Sequence, residues 1–306
     1  MLNGILPVYK DRGMTSHDVV FKLRKMLQMK KIGHSGTLDP DVDGVLLILL
    51  GSATKVSDYA MDLGKSYKAE VCLGMKTTTE DISGEILEEI DVDNIPIDKI
   101  KEVCSQLVGR ITQIPPIYSA VKVNGKKLYE YARSGNFDVE RPSRVVDIYS
   151  IKVDENSIIH KDNKLYFTID VHCGKGTYIR TIATQIGEML GLPSCMSRLT
   201  RTSSGKIRSE NCYTLEQIGN MSEIERESIL LRKEFALEAY EFYELPKHRA
   251  KQVMNGLRFR KDQFSDLDFT NEIVFTFEQE AIAVYYLKNK DDDLLSVKTT
   301  FPKEIV

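Results

Sequence analysis

The segment Gly33-His34-Ser35-Gly36-Thr37-Leu38-Asp39-Pro40 decides how the rest of this chain is interpreted. The apolar residues 45–50 follow, bounded by glycines, which is typical of a buried core segment. Pro40 disfavours helical geometry at the residue before it, so Asp39 is expected in an extended conformation. The pattern predicts a carboxylate on a polar turn that is anchored to a rigid element, as catalytic groups commonly are. On its own, Gly-x-Ser-Gly-Thr is more often an ordinary turn without chemistry.

Length and composition are those of an ordinary globular protein. The 306 residues suggest a large domain with a small one, and 42% hydrophobic with 28% charged residues is a usual balance. The longest apolar run is far below the roughly 18 residues that span a bilayer. The N-terminus lacks the basic and apolar regions of a secretory signal. The five cysteines include no Cys-x-x-Cys pair, which favours reduced thiols in the cytoplasm over disulfides or structural zinc.

The net charge of −3 conceals a segregated distribution of charge. Between residues 172 and 208, six basic residues are opposed by Glu188 alone. A second basic stretch covers residues 122–144, and acidic residues are concentrated between residues 80 and 93. Segregated charge can give an acidic protein a positive face for a polyanion, although a solvated surface produces the same pattern.

Hydrophobic periodicity predicts a mixture of helices and strands. Thr15 opens a helix with a capping box, and residues 67–73 alternate as a half-buried strand. A strand over residues 165–173 leads through a glycine-containing loop into a helix that ends before Gly191. Further helices are expected over residues 98–108, 126–134 and 222–237. Short strands over residues 272–278, 281–287 and 294–301 predict a small, mostly β module at the C-terminus.

The segment 33–40 resembles the signature of the tRNA pseudouridine-55 synthases, a bacterial-type family that isomerises one uridine in the T-loop of tRNA. That family carries Gly-His-x-Gly-Thr-Leu-Asp-Pro with an essential aspartate. Other motifs follow in the family's order: residues 10–16, 65–69, 113–122 and 125–135. Lys175-Gly176-Thr177-Tyr178-Ile179-Arg180 is the second strong match. The resemblance therefore extends along most of the chain.

The resemblance implies catalytic roles for Asp39, Tyr67 and Arg180. Asp39 would act as a nucleophile or a base. Arg180 would pair with that carboxylate and fix its orientation. Tyr67 would lie against the target uracil with its phenol placed for proton transfer; as an alternative, it is a tyrosine of the core.

Roles in substrate or RNA binding are implied for a second set of residues. Tyr178 and Leu199 would line the uracil pocket, and His34 would help to fill the space that the flipped base leaves. Lys10 would support the catalytic loop or meet the RNA. A turn histidine, a core leucine and a surface lysine are the corresponding structural alternatives. The basic residues expected to meet RNA phosphates are Lys122, Lys126, Lys127, Arg133, Arg141 and Arg144.

The chain also departs from the family pattern. Thr78 stands where the family has aspartate, so no catalytic role is assigned to residues 74–84. Asp11 replaces a proline. The family continues after Asp-Pro with Leu-Ala-Thr-Gly, whereas this chain has Asp41 and Asp43, and we expect both carboxylates to point into solvent.

The resemblance implies an α+β fold. A catalytic domain over residues 1–240 would be built on a mixed, largely antiparallel sheet flanked by helices, with an RNA-clamping insertion at about residues 122–147. A small β-rich, PUA-like RNA-binding domain would cover residues 241–306. An isomerisation transfers no electrons and adds no group, so no cofactor or metal is expected. The expected partner is the T-stem-loop of tRNA, bound by a cytoplasmic monomer without a membrane or a guide RNA.

Three other functions are compatible with parts of the pattern. A non-catalytic RNA chaperone would keep the basic stretches and have no need of Asp39. A glycoside or nucleoside hydrolase normally uses two cooperating carboxylates, and only one lies in a motif here. A guide-RNA-dependent relative that acts on ribosomal RNA is less compatible with the length of the chain and its filled-in insertion.

Overall fold

The computed structural model describes residues 2–264, 266–289, 291–303 and 305. Within them the strands are, in chain order, β1 (Gly4–Lys10), β2 (Ile32–His34), β3 (Asp43–Leu50), β4 (Lys65–Leu73), β5 (Met75–Thr77), β6 (Ile86–Glu89), β7 (Gly109–Gln113), β8 (Lys122–Val123), β9 (Lys126–Lys127), β10 (Arg144–Lys161), β11 (Lys164–Cys173), β12 (Ser194–Ser204), β13 (Ile207–Arg208), β14 (Glu241–Glu244), β15 (Ile273–Phe277), β16 (Glu280–Tyr286) and β17 (Ser296–Thr300).

The α-helices of the same residues are α1 (Ser16–Met26), α2 (Ser57–Asp62), α3 (Ile97–Gln106), α4 (Leu128–Arg133), α5 (Ile179–Leu190), α6 (Leu215–Asn220), α7 (Glu223–Ser228) and α8 (Lys247–Met254). Short 3₁₀ turns cover Gly51–Val56, Ser209–Asn211, Lys233–Leu237 and Lys261–Phe264.

A large mixed sheet forms the centre of the molecule. Its strands lie in the order β1-β3-β12-β4-β11-β10-β7, with β2 beside β3 and β13 beside β12. The pairings are antiparallel except that of β3 with β12, which is parallel. Gly44 lies at that parallel contact with a φ of +113°, and a Cβ there would stand 2.1 Å from the carbonyl oxygen of Arg201. The expected α+β fold with a largely antiparallel sheet is confirmed.

Helices α1, α3 and α5 pack on one face of this sheet, and α2 packs on the other with Tyr59 and Ala60. The capping box predicted at Thr15 is present, and α1 buries Val19, Val20 and Leu23. Helix α5 is the predicted helix after β11, and it ends at Gly191 in a left-handed conformation. Together with α3, these helices enclose the main core against β4 and β11, where alternate side chains point inward.

The C-terminal strands form a separate sheet in the order β14-β15-β16-β17. Its core is aromatic, and the ring of Phe259 contacts those of Phe264, Phe275 and Tyr285. Val274 and Val284 pack from this sheet against Val45 of β3. The β-rich C-terminal part is therefore confirmed, and β15, β16 and β17 lie close to the three predicted strands.

The segment between β7 and β10 forms a small core of its own, with Ile117, Leu128 and Ala132 buried. The helix expected over residues 126–134 is shorter, because Lys126 and Lys127 belong to the β8–β9 hairpin. The helix expected over residues 222–237 is also shorter: it is divided between α7 and a 3₁₀ turn.

Within the described residues, no helix combines the length and the apolar character that crossing a membrane requires.

Candidate active site

The loop that carries Asp39 connects β2 to β3 and is fixed by hydrogen bonds to its backbone. The amide of Leu38 donates to the hydroxyl of Ser16 at 2.8 Å, in the first turn of α1. The carbonyl oxygen of Pro40 accepts from the amide of Gly13 at 2.9 Å and from Nζ of Lys10 at 3.3 Å. The loop is therefore held by the chain before α1 and by α1 itself, which gives Asp39 a defined position.

Asp39 and Arg180 lie together, 141 residues apart in sequence. Nη2 of Arg180 is 3.1 Å from Oδ2 of Asp39. The side chain of Arg180 is 8% exposed, whereas that of Asp39 is 51% exposed. A buried guanidinium thus holds one side of a carboxylate whose other side is open to a ligand.

Arg180 is held in turn by the segment between β5 and β6. Its Nη1 lies 3.3 Å from the carboxylate of Asp81 and donates to the carbonyl oxygen of Thr79 at 3.0 Å. Its Nη2 also donates to the carbonyl oxygen of Tyr118 at 3.0 Å. Asp81 was not predicted as a site residue, because Thr78 departs from the family pattern and residues 74–84 were assigned no catalytic role. The usable signal was a carboxylate in a turn of hydroxyl residues, and Thr79 and Ser83 do bond to Asp81.

Tyr67 lies on β4 directly opposite Arg201 of β12. Burial raises the pKa of the Tyr67 phenol, the positive charge of Arg201 lowers that pKa, and the negative charge of Asp39 raises it. The side chain is only half-buried. Tyr67 therefore has the position of a strand residue at the edge of the core, with its hydroxyl within the electrostatic reach of Asp39.

Asp41 and Asp43 differ from each other. Asp41 is exposed, as expected. The expectation that Asp43 points into solvent is wrong: it accepts hydrogen bonds from Tyr9 at 3.1 Å and Thr200 at 2.6 Å, and it pairs with Arg12 at 3.5 Å. Burial raises the pKa of Asp43, but these partners hold it below its ordinary value. Asp43 joins β1, β3 and β12 at the end of the catalytic loop.

Two expected binding residues, Lys10 and His34, occupy structural positions beside the loop. Lys10 is fully buried, and Nζ donates to backbone carbonyls of Asp11, Met14 and Pro40. Of the two roles expected for Lys10, support of the loop and contact with RNA, this arrangement fits support of the loop. Nδ1 of His34 accepts from the amide of Gly36 at 3.3 Å, and burial lowers the pKa of His34.

Leu199 lies on β12, and Tyr178 immediately precedes α5. Leu199 is 8% exposed and belongs to the main core. Tyr178 precedes α5 and is half-buried, and Gln113 bonds to both its backbone amide and its carbonyl. The guanidinium of Arg144 lies 5.6 Å from the ring centroid of Tyr178. The structure thus places one of the expected basic residues beside an expected pocket residue.

The remaining basic residues lie in the segment that surrounds the small core between β7 and β10. Lys122, Lys126 and Arg133 are exposed and Lys127 is half-buried. Arg133 and Lys127 both lie over the ring of Tyr129, at 5.2 and 5.4 Å. Arg141 differs, since it donates to the carbonyl oxygen of Pro115 at 3.1 Å and pairs with Glu80 at 3.8 Å. Aromatic rings interleaved with cations are a surface suited to RNA.

Metal-ligand side chains do not cluster in the described residues: no group of three or more His, Cys, Asp or Glu is arranged to hold an ion.

Comparison with known proteins gives two family matches and many relatives. The model of the TruB family pseudouridylate synthase N-terminal domain matches residues 24–179, and that of the tRNA pseudouridylate synthase B C-terminal domain matches residues 180–239. A tRNA pseudouridine synthase B of Listeria welshimeri is 47% identical over 294 residues, covering 96% of each chain. A tRNA pseudouridine synthase B of Staphylococcus aureus strain MSSA476 is 48% identical over 312 residues, and the alignment covers 98% of this chain and 100% of that protein.

Solved structures agree on the fold. A crystal structure of a Cbf5–Nop10–Gar1 complex contains a chain that is 26% identical, with a TM-score of 0.70, covering 98% of this chain and 85% of the other. A second, from an archaeal box H/ACA Nop10–Cbf5 complex, has the same TM-score of 0.70 at 22% identity and shows the likeness of fold alone.

Proposed function

Because this chain belongs to the TruB family of pseudouridylate synthases, we propose that it isomerises uridine to pseudouridine at position 55 in the T-loop of tRNA. The observation that carries the proposal at the level of chemistry is the contact of 3.1 Å between Asp39 and Arg180. It joins the two strongest motifs of the chain at one half-exposed carboxylate.

The reaction is an internal rearrangement. The bond between C1′ of the ribose and N1 of uracil breaks, the ring turns, and C1′ forms a bond with C5. One proton leaves C5 and one is taken up at N1, so no electron is gained or lost and no group is added. The protein must therefore supply a carboxylate, proton transfer and a defined space for the base.

Asp39 is the group that acts on the reacting nucleotide. The glycosidic bond of a stacked base is inaccessible, so the uridine has to be flipped out of the loop, at an energetic cost of a few kcal/mol. Arg180 neutralises and orients the carboxylate, and Asp81 holds Arg180 from the other side. His34 helps to fill the vacated stack.

The flipped base is held by aromatic residues. Tyr67 and Tyr178 contact the uracil, and stacking of this kind contributes about 1–3 kcal/mol per base. The phenol of Tyr67 transfers a proton within the rearrangement. Leu199 closes the pocket from the core side.

The tRNA is bound through its backbone by the insertion. The exposed cations of residues 122–147 meet phosphates, which position the RNA without reading its sequence. Residues 1–240 form the catalytic domain, and residues 241–306, whose sheet begins at Glu241, form a small RNA-binding domain. The enzyme acts as a monomer in the cytoplasm, without a guide RNA, since the T-stem-loop itself presents the target.

Incubation with an unmodified tRNA transcript, and separately with its T-stem-loop, tests this function. We expect pseudouridine at the single T-loop position in both RNAs, mapped by chemical modification and primer extension. Tight binding of tRNA without any pseudouridine would support the chaperone alternative. Release of free uracil would support a hydrolase.

A further inference from the structure

Three basic side chains are buried around the catalytic loop without an anionic partner. Lys10, Lys65 and Arg201 are 0%, 7% and 1% exposed. Within the described part of the chain, none of them forms an ion pair with a carboxylate; their hydrogen bonds go to backbone carbonyls. Burial of an unpaired charge is unfavourable by several kcal/mol, so such groups persist where their charge has a use.

Of these three residues, Arg201 lies close both to the loop that carries Asp39 and to Tyr67. Its Nε donates to the carbonyl oxygen of Val45 at 2.6 Å, and its Nη2 donates to that of Gly36 at 3.5 Å. A Cβ added at Gly36 would meet Nη1 of Arg201 at 3.9 Å, which places the guanidinium directly beneath the catalytic loop. The contact with Val45 fixes the side chain to β3, a strand buried at every position from Gly44 onward.

The phenol of Tyr67 lies on the other side of this guanidinium. Tyr67 and Arg201 are directly paired across β4 and β12. Residues paired across neighbouring antiparallel strands project to the same face of the sheet with Cβ atoms about 4.5–5.5 Å apart, so the two side chains are neighbours. The positive charge of Arg201 lowers the pKa of the phenol. The side chain of Lys65 is directed elsewhere, because its Nζ donates to the carbonyl oxygens of Met61 and Leu63, each at 2.8 Å.

We propose that Arg201 is a positioning residue that orients the phenol of Tyr67 and stabilises negative charge on its oxygen during proton transfer. This inference rests on the proposed function and deepens it. As the glycosidic bond breaks, N1 of uracil needs a proton, and after C1′ joins C5, C5 must lose one. Tyr67 gives its phenolic proton toward N1 and receives the proton from C5, so its oxygen is anionic only between the two transfers.

The groups that face Tyr67 make this assistance necessary. Burial and the negative charge of Asp39 on the loop between β2 and β3 disfavour a phenolate and raise the pKa of Tyr67, while the Cys173 thiol on β11, whose own pKa burial raises to about 11, stays neutral. Arg201 on β12 supplies the opposing positive charge. Since the guanidinium is already buried and anchored, it requires no reorganisation when the charge develops.

The test replaces Arg201 and changes the acidity of Tyr67 independently. Arg201→Met keeps an unbranched apolar stem and removes the guanidinium with its charge, and we expect kcat on the T-stem-loop to fall at least about 100-fold while KM changes less than about threefold. Incorporation of 3,5-difluorotyrosine at position 67 lowers the pKa of the phenol. This substitution should increase the kcat of Arg201→Met at least about tenfold and change the kcat of the wild type less than about threefold.

Two further variants keep the test decisive. Lys65→Met removes a buried cation from the same region but not from the phenol, so difluorotyrosine should have the same small effect there as in the wild type. Arg201→Lys retains a charge and is measured in parallel in case the methionine variant does not fold. A lysine cannot hold Val45 and Tyr67 together, so a smaller loss, again relieved by fluorination, is expected.

The outcome that overturns the inference is an equal effect of fluorination in the wild type and in the Arg201 variants. Arg201 would then act only on the fold. Pseudouridine formation by the wild type is measured in the same series, so failure of the proposed function is seen separately.

Discussion

Nη2 of Arg180 lies 3.1 Å from Oδ2 of Asp39, while Nη1 of the same guanidinium lies 3.3 Å from Asp81. The first turn of α5 thus links the catalytic loop to the segment between β5 and β6. One planar group that binds two carboxylates and two backbone carbonyls has little freedom to move, so Asp39 presents its free face to a substrate in a fixed direction.

Replacement of Arg180 tests this link. Arg180→Met should lower single-turnover pseudouridine formation at least about 100-fold, because the carboxylate loses its orienting partner. Arg180→Lys should recover little of it, since an ammonium cannot bridge Asp39 and Asp81 in the same geometry. Lys101→Met is the control, because Lys101 lies on α3, outside the proposed RNA-binding segments, and pairs with Glu155 at the surface. Near-normal rates for Arg180→Met would contradict the assignment.

Asp43 should stabilise the fold in a pH-dependent way. Its partners hold its pKa below the ordinary 3.8, so its contribution is fully present above that pH and is lost as the pH falls through the lower, folded-state pKa. We expect Asp43→Asn to reduce the free energy of unfolding in urea by about 1–2 kcal/mol at pH 7. The difference from the wild type should shrink below pH 4. Asp41→Asn, an exposed neighbour, should have little effect at either pH, and an unchanged Asp43→Asn difference at pH 3 would refute the prediction.

Lys65 should make stability rise with pH. Burial lowers its pKa from 10.5 to about 8, so the unfolded chain binds more protons than the folded one between these values. The free energy of unfolding of the wild type, relative to Lys65→Met, should therefore increase between pH 8 and pH 10.5, by as much as about 3 kcal/mol. The comparison with Lys65→Met cancels other titrations. A difference that is flat or falls across this range would mean that Lys65 is not held in a desolvated site.

The exposed cations of the insertion should bind phosphates. Lys126→Ala should weaken binding of tRNA and reduce the slope of log K against log salt by about 0.7–0.9, the value for one phosphate contact. Lys99→Ala is the matched control, since Lys99 is exposed on α3 between the acidic residues Asp98 and Glu102. Affinity for unmodified tRNA is measured by filter binding over a range of salt. Equal slopes for the two variants would exclude Lys126 from the interface.

Much of the site's framework could be predicted from sequence because it is encoded locally. The turn at residues 33–40, the capping box at Thr15 and the alternation in β4 and β11 are short-range patterns, and each appears in the structure. The contact between Asp39 and Arg180 is not local, and only the family resemblance indicated it. The strands of the C-terminal sheet were predicted within a few residues, except β14, which pairs in parallel with a strand about 30 residues away.

The remaining features depend on the register of strands that are distant in sequence. Asp43 was expected in solvent, but the parallel pairing of β3 with β12 places it beside Thr200. Arg201 is a buried, unpaired cation, although an isolated arginine in a sequence indicates the surface. Asp81 is brought to Arg180 by an isolated β-bridge between Asp81 and Met196. Hydrophobic periodicity in the sequence does not predict a single bridge of this kind.

The central claim is that one carboxylate performs the chemistry. Asp39→Asn keeps the shape of the side chain and removes its charge, with the exposed Asp41→Asn as the control two residues away. Pseudouridine formed on the T-stem-loop in a single turnover, at saturating enzyme, is the most direct measurement. We expect no detectable product for Asp39→Asn, an affinity for the RNA within about threefold of the wild type, and a normal rate for Asp41→Asn. Substantial turnover by Asp39→Asn would contradict the central claim.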